Sequence, residues 1–464
     1  MRRARVATPL VAAVAITLGL AGAAAGGNGH GNGPGKDHGQ GKAHQAPSGP
    51  VADPGGVIDL PPGYSYDILA RDCVDQVTST ESGATFQMPG DFDANALFRG
   101  KGGKLWLLSA HELTENRTYP SPPQEFPGDA TKCKVTEQAT ADDGDSDGWG
   151  SVSRLTLGKD GTTVEKRELI TTGLHDLCAG GRTPWGTMLV NEEFPFLQGT
   201  GKDRSGWVWE IDPETGKATR ATGMGHFSHE QEALSRKAWY LTDDRGDYQY
   251  LYKFVPDKRR DLSRGKLYGL KFDRANKTGQ WIGPLDPANA EADMAAKAGG
   301  PPNATNSFSK HEGIVKAKRG NGVVFSESGF GNDPGRIWHL TDRKDGVRGE
   351  VLAEGSFAQL SRPDNLRYDR EGNLYLFEDH SSGDITNHPE IGADNEVYVL
   401  PKGATGAQNL RKFAQVRAGG EGTGPWFSPN GKTLYLSIQD QKRPDGSESR
   451  VLAIHVPKGR GHKQ

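Results

Sequence analysis

The chain has 464 residues, enough for about three average domains at ~150 residues each, or for one large β architecture. Sixty-four Gly and 28 Pro against 5 Met favour many short strands joined by turns over long helices. A net charge of −3 implies no basic face and argues against nucleic acid as a specific partner.

Residues 1–25 read as an export signal. Arg2, Arg3 and Arg5 precede an apolar stretch at 9–20, and Ala23-Ala24-Ala25 offers a small-residue cleavage site. Arg2-Arg3 suits a twin-arginine route, but paired basics also occur in ordinary signals, so the route stays open. No later stretch approaches the ~18 apolar residues of a membrane span, so the expected product is secreted and free of the membrane. Residues 26–52 are Gly-rich and cannot bury enough apolar surface to offset their chain entropy. They predict a disordered linker, with His30, His38 and His44 solvated in it. A catalytic β domain is expected over 53–457, followed by a basic tail at 458–464.

Cys73, Cys133 and Cys178 remain after export, an odd number for a secreted protein. Cys73 and Cys133 stand in polar, loop-like contexts that suit a disulfide. Cys178 is then left over, either inert in a core or chemically used, and the count alone does not decide which.

Six segments look alike: LWLLSAHE (105–112), MLVNEE (188–193), WYLTDD (239–244), VVFSES (323–328), LYLFEDH (374–380) and LYLSIQD (434–440). Each is a short β-prone run that ends in polar or acidic residues. Turn signals such as Asn321-Gly322 and Asn430-Gly431 stand before the strand. Repeats of this kind predict an all-β, six-bladed β-propeller with loop insertions, ahead of a large β-sandwich. Glu192, Asp243, Glu327 and Glu378 align across four repeats, and Cys178, Glu230, Glu312 and Asp364 stand 13–15 residues upstream of them. If each pair spans a hairpin, both members lie at one end of a blade, and several blades aim ligand-type side chains at one mouth of the channel. Converging carboxylates repel and desolvate one another unless cations neutralise them. Oxygen donors suit hard divalent cations, and a thiolate favours a transition metal. The acidic run 141–150 lacks the closing Glu of a calcium loop and reads as a surface turn, and Asn303-Ala304-Thr305 is a glycosylation pattern only in a host that glycosylates.

The segments CAGGRTPWGTMLVNEE (178–193), GHFSHEQEA (225–233), KHEGI (310–314), RPDNLRYDREGNLYLFED (362–379) and EGTGPWFSPNGKTLYLSIQ (421–439) together resemble the PhoX-type alkaline phosphatase family. The likeness implies a six-bladed propeller, a secreted phosphomonoesterase, and a cluster of two irons with calcium. By motif, Cys178 looks like the iron-bridging thiolate, and Glu230 and Glu312 look like iron or calcium carboxylates. Glu192 or Glu193, Asp364 and Glu421 look like calcium ligands, and Glu112 matches an early His-Glu motif. Lys310 and His311 stand where the family usually has Arg-Pro, and would bind phosphate oxygens. Lys supplies the charge there but not the bidentate fork of Arg. Many members also carry Cys at the position of Asn191. The expected partner is a small phosphomonoester, bound by a monomer. Other propeller hydrolases, or a non-catalytic calcium-binding propeller, would account for the acidic channel but have no use for Cys178.

Overall fold

The computed structural model describes residues 49–457, apart from 115–116, 121–122, 127–131, 136–139, 142–147, 194, 196–204 and 418. The expected signal, nearly all of the linker, the basic tail and most of the acidic turn at 141–150 fall outside the described residues.

The fold is all-β, with a propeller-like arrangement of sheets. Six innermost strands line its centre: Phe92–Arg99, Leu177–Arg182, His229–Ser235, His311–Lys316, Pro363–Tyr368 and Glu421–Phe427. Each touches the next in chain order, and the last touches the first, so the ring closes. From each, an antiparallel meander runs outward through a second strand: Leu105–His111, Met188–Glu192, Ala238–Asp243, Gly322–Glu327, Leu374–Glu378 and Thr433–Gln439. Those second strands are the repeats legible in the sequence, and most of their residues are buried.

Two meanders join at their outer edges, where Thr278–Leu285 pairs with Gly346–Glu354, to form one nine-stranded sheet. The last sheet takes an outer strand from near the chain start, Ser65–Arg71, which pairs with Arg450–His455. Strands from near both ends of the described chain are thereby joined in one sheet. Apolar side chains fill the space between neighbouring sheets. Leu108 and Val152 of the first pack with Val190, Trp209 and Ile211 of the second, all 1% exposed or less. This burial supplies most of the folding free energy, because apolar area removed from water is the dominant favourable term.

The starts of five of the six innermost strands follow one local plan. Phe92 pairs with His111, Leu177 with Glu192, His229 with Asp243, His311 with Glu327 and Pro363 with Glu378. The register then slips within the next three residues in every case. Such a bulge bends the strand and re-aims the side chains beside it. The residue ahead of the pair is left-handed in four strands, with φ of 46° at Asp91, 35° at Asp176, 44° at Lys310 and 47° at Arg362. Non-glycine residues rarely adopt this conformation. Each of these carbonyls accepts the backbone N–H of the residue just past the second strand: Glu112, Glu193, Ser328 and Asp379.

Candidate metal centre

Those bulged starts bring three sets of side chains to one mouth of the ring. The first set sits one residue past the paired position and comprises Asp93, Cys178, Glu230, Glu312 and Asp364. The second, Glu112, Glu193, Asp244 and Asp379, sits just past the end of the second strand. The third comprises the left-handed residues, of which Lys310 bears the charge that matters most here.

Ligand atoms of Asp93, Glu112 and Cys178 lie within 4.8 Å of one another, and so do those of Glu230, Glu312 and Asp364. Cys178 Sγ is 3.0 Å from Glu112 Oε1 and 3.2 Å from Glu193 Oε2. Gln439 Nε2 donates to the other Glu112 oxygen at 3.1 Å. Asn365 Nδ2 donates to Asp364 Oδ2 at 2.9 Å, and the Glu421 carboxyl lies beside Asp364. Lys310 Nζ lies 2.9 Å from Glu312 Oε1 and 3.2 Å from Asp244 Oδ2. A second cation, Lys132, reaches Asp91 at 2.6 Å and Asp440 at 3.0 Å on the rim. Its neighbour Cys133 is bonded to Cys73, while Cys178 is free and buried.

The electrostatics of this cup are unfavourable for protein alone. Burial first, and then the charges of Glu312 and Asp364, hold Glu230 well above the usual carboxylate range. Burial and the neighbouring acids do the same to Asp93, Glu193 and Glu421. Glu312 is raised as well, by burial and Asp244, although Lys310 partly offsets this. Burial pushes Glu112 up to about 7, and raises the Cys178 thiol far above its usual value with help from Glu112 and Glu193. Asp93 Oδ1, Asp244 Oδ1 and Asp364 Oδ1 are buried with no hydrogen-bond partner. Unpaired buried acceptors crowded with like charges are costly, and cations bound among them remove both penalties. The donor set therefore fits metal ions: carboxylate oxygens for hard cations, with one thiol for a softer one.

A family model described as alkaline phosphatase PhoX matches residues 46–338 and 341–441. The chain belongs to the PhoX family. It is accordingly a metal-dependent alkaline phosphatase, a phosphomonoester hydrolase. Among solved structures, PhoX of Pseudomonas fluorescens in complex with vanadate, a transition state analogue, is similar at 20% identity and a TM-score of 0.64. That match covers 88% of this chain and 97% of the other. Fainter matches include virginiamycin B lyase of Staphylococcus aureus, at 12% identity and TM-score 0.37, covering 85% of this chain and 99% of that one. A gluconolactonase of Xanthomonas campestris gives 11% and 0.39, covering 84% and 98%. No curated protein matches the chain.

Of the PhoX-type positions read from sequence, the mouth brings together Cys178, Glu112, Glu193, Glu230, Glu312, Asp364, Glu421 and Lys310. Two lie elsewhere. Glu192 points into the blade, where its carboxylate accepts the N–H groups of His175 and Trp207 at 3.2 Å each. His311 is fully buried against Phe308 and Phe325, and its Nδ1 accepts the N–H of Asp243 at 2.9 Å. Burial lowers its pKa to about 4, so the ring is neutral. Two of the other aligned acids also serve backbone and blade: Glu327 binds Arg274 and Arg336, and Glu378 accepts the N–H groups of Ser361 and Glu396. Sequence reasoning missed Asp93, Asp244 and Asp379. A signal was present for Asp93, since Asp91-Phe92-Asp93 repeats the order of Asp176-Leu177-Cys178 and Lys310-His311-Glu312.

Proposed function

We propose that this phosphatase is a secreted monomer acting on small phosphomonoesters, with two irons and calcium held at one mouth of a six-bladed propeller. The observation that carries the reading is the lone free thiol, Cys178, within 3.2 Å of two carboxylates in a cup otherwise built of oxygen donors. Cys178, Glu112, Glu193 and Asp93 would hold iron, and Glu230, Glu312, Asp364 and Glu421 would hold calcium or share in the iron site. Bound there, such cations act as Lewis acids on phosphoryl oxygens and offset charge on the departing oxygen. The Pseudomonas relative's complex with vanadate, a transition state analogue, supports phosphoryl chemistry. Six innermost strands in a closed ring support the blade count. The signal-like residues 1–25 and the Cys73–Cys133 disulfide support an oxidising compartment.

The chain's own residues bind and orient. Lys310 has 38% of its side chain exposed, so its ammonium meets an incoming phosphate as a point charge while Asp244 and Glu312 fix its position. Gln439 and Asn365 aim Glu112 and Asp364 by donating to one oxygen of each. His311 positions rather than binds: it anchors the strand start that carries Lys310 and Glu312 through the Asp243 amide. The burial of Glu230, Glu312 and Asp364 lowers the local dielectric, which strengthens the charge interactions between them and a bound group.

The test is metal analysis of natively exported protein beside turnover of an aryl phosphate, for wild type and Cys178→Ser. Serine keeps the shape but stays protonated at neutral pH, whereas a thiol beside a metal loses its proton. Wild type is expected to contain iron and calcium, and Cys178→Ser to lose iron with turnover down by about 10²-fold or more. Full iron and full turnover in the variant, or wild type with calcium alone, overturns the iron assignment.

A further inference from the structure

The innermost strands that begin with acids end with cations. Three to six residues past the mouth ligands, roughly 10–20 Å along an extended strand, stand Arg182, Arg236, Lys316, Lys318 and Arg367. With Arg259 they line a cavity of about 700 Å³ formed by the far ends of five of the six central strands. None of these six cations is ion-paired among the described residues. The cavity's one carboxylate, Glu232, is engaged by Asn191 Nδ2 at 2.7 Å. Arg367 is the centre of the arrangement. Its guanidinium lies 3.7 Å over the ring of Trp426 and, among the described residues, makes no hydrogen bond. A guanidinium held over an aromatic face keeps its N–H fork in its own plane, parallel to the ring, free to meet two oxygens of one anion. Burial without any acidic neighbour lowers its pKa, which marks a charge left uncompensated by the protein.

We propose that the end of the central channel opposite the metal centre is a second anion site, built for a phosphate-type dianion held by Arg367 with Arg182 and flanked by Lys316 and Lys318. A tetrahedral oxyanion fits because the fork supplies paired parallel donors and the lysines supply undirected charge. The source is free phosphate or the phosphate group of a small ester. The site stands on its own residues and does not depend on which metals the opposite mouth holds.

Inorganic phosphate is the probe, measured by equilibrium dialysis on full-length, metal-retaining protein in a Lys310→Met background that weakens the opposite mouth. Phosphate is expected to bind there, more weakly at high salt, and to lose about tenfold or more in affinity in Arg182→Gln/Arg367→Gln. Lys316→Gln/Lys318→Gln, both exposed and safe for folding, should also weaken it, while leaving aryl-phosphate turnover unchanged when made in wild type. A small phosphomonoester binding where phosphate does not, lost in the same variants, assigns the site to the ester. Unchanged phosphate and ester affinity in both double variants overturns the proposal. So does binding confined to a long polyanion.

Discussion

Glu192 and Glu193 are neighbours at the mouth end of one strand, but Glu193 faces the mouth and Glu192 faces into the blade. Glu193 lies 3.2 Å from Cys178 Sγ, whereas Glu192 accepts two backbone N–H groups inside the sheet. Glu193→Gln should therefore abolish turnover with the melting temperature nearly kept, because the amide retains shape but not charge. Glu192→Gln should do the reverse. It leaves one buried N–H facing an NH₂ group, at a cost of about 1–3 kcal/mol, with turnover largely retained. Steady-state kinetics and thermal melts of the two variants separate the roles, and equal activity loss in both would refute the assignment. The pair also shows what was legible. The acidic dipeptide stands out in the sequence, but which member faces the mouth does not, since a strand reverses side-chain direction at every residue.

At the scale of the element, the bulged strand start decides the site. The 13–15-residue offset correctly found the hairpins, but the bulge and the left-handed residue set their phase. Close packing of neighbouring strand starts makes this geometry sensitive to volume. A Cβ on Gly313 would meet Asp364 O at 2.8 Å and Asn365 Cα at 3.1 Å, both backbone atoms. Gly313→Ala should push apart the strands that carry Glu312 and Asp364. We expect turnover to fall about tenfold or more, with about 1–3 kcal/mol of stability lost to overpacking. Wild-type kinetics in this variant would mean that the two strands can shift freely.

The Cys73–Cys133 bridge acts on another element, the segment that carries Lys132 to the rim. Closing residues 60 apart restricts the unfolded chain by about 4 kcal/mol in the chain-entropy account. Cys73→Ser/Cys133→Ser should lower the denaturation midpoint accordingly, read by urea titration under non-reducing conditions. A midpoint equal to that of wild type would show the bridge to be thermodynamically idle.

For the whole molecule, cation removal should invert the ordinary response to pH. Burial raises Glu112 to about 7 from 4.5, and raises Asp379 to about 7 from 3.8 with help from Asp364. Groups raised in the folded state hold protons that the unfolded chain has released. Their contribution is thus fully present at low pH and lost as pH rises through the folded value. Buried His111, His229 and His311 oppose this only below their ordinary value of 6.5, above which they are neutral folded or unfolded. Chelator-treated protein should therefore melt lower at pH ~8.5 than at pH ~6.5, while untreated protein shows little of this fall. Calorimetry on both forms at the two values checks it, and parallel trends would mean that no cation neutralises the cup.

The sequence by itself determined the class of fold, the repeats and the family, because these rest on local alternation, turn residues and short motifs. It also marked Cys178 as the odd thiol and placed most of the acidic residues now found at the mouth. Only the tertiary structure decided which acids share that mouth. Asp93 sits in a strand whose repeat was not read, and Asp244 and Asp379 stand one residue past the acids that align. A ring of six strands makes neighbours of residues far apart in the chain, and a bulge of one residue chooses which of them face inward. The run of cations at the opposite ends of the same strands is likewise scattered in sequence, and becomes a single cavity only when the ring closes.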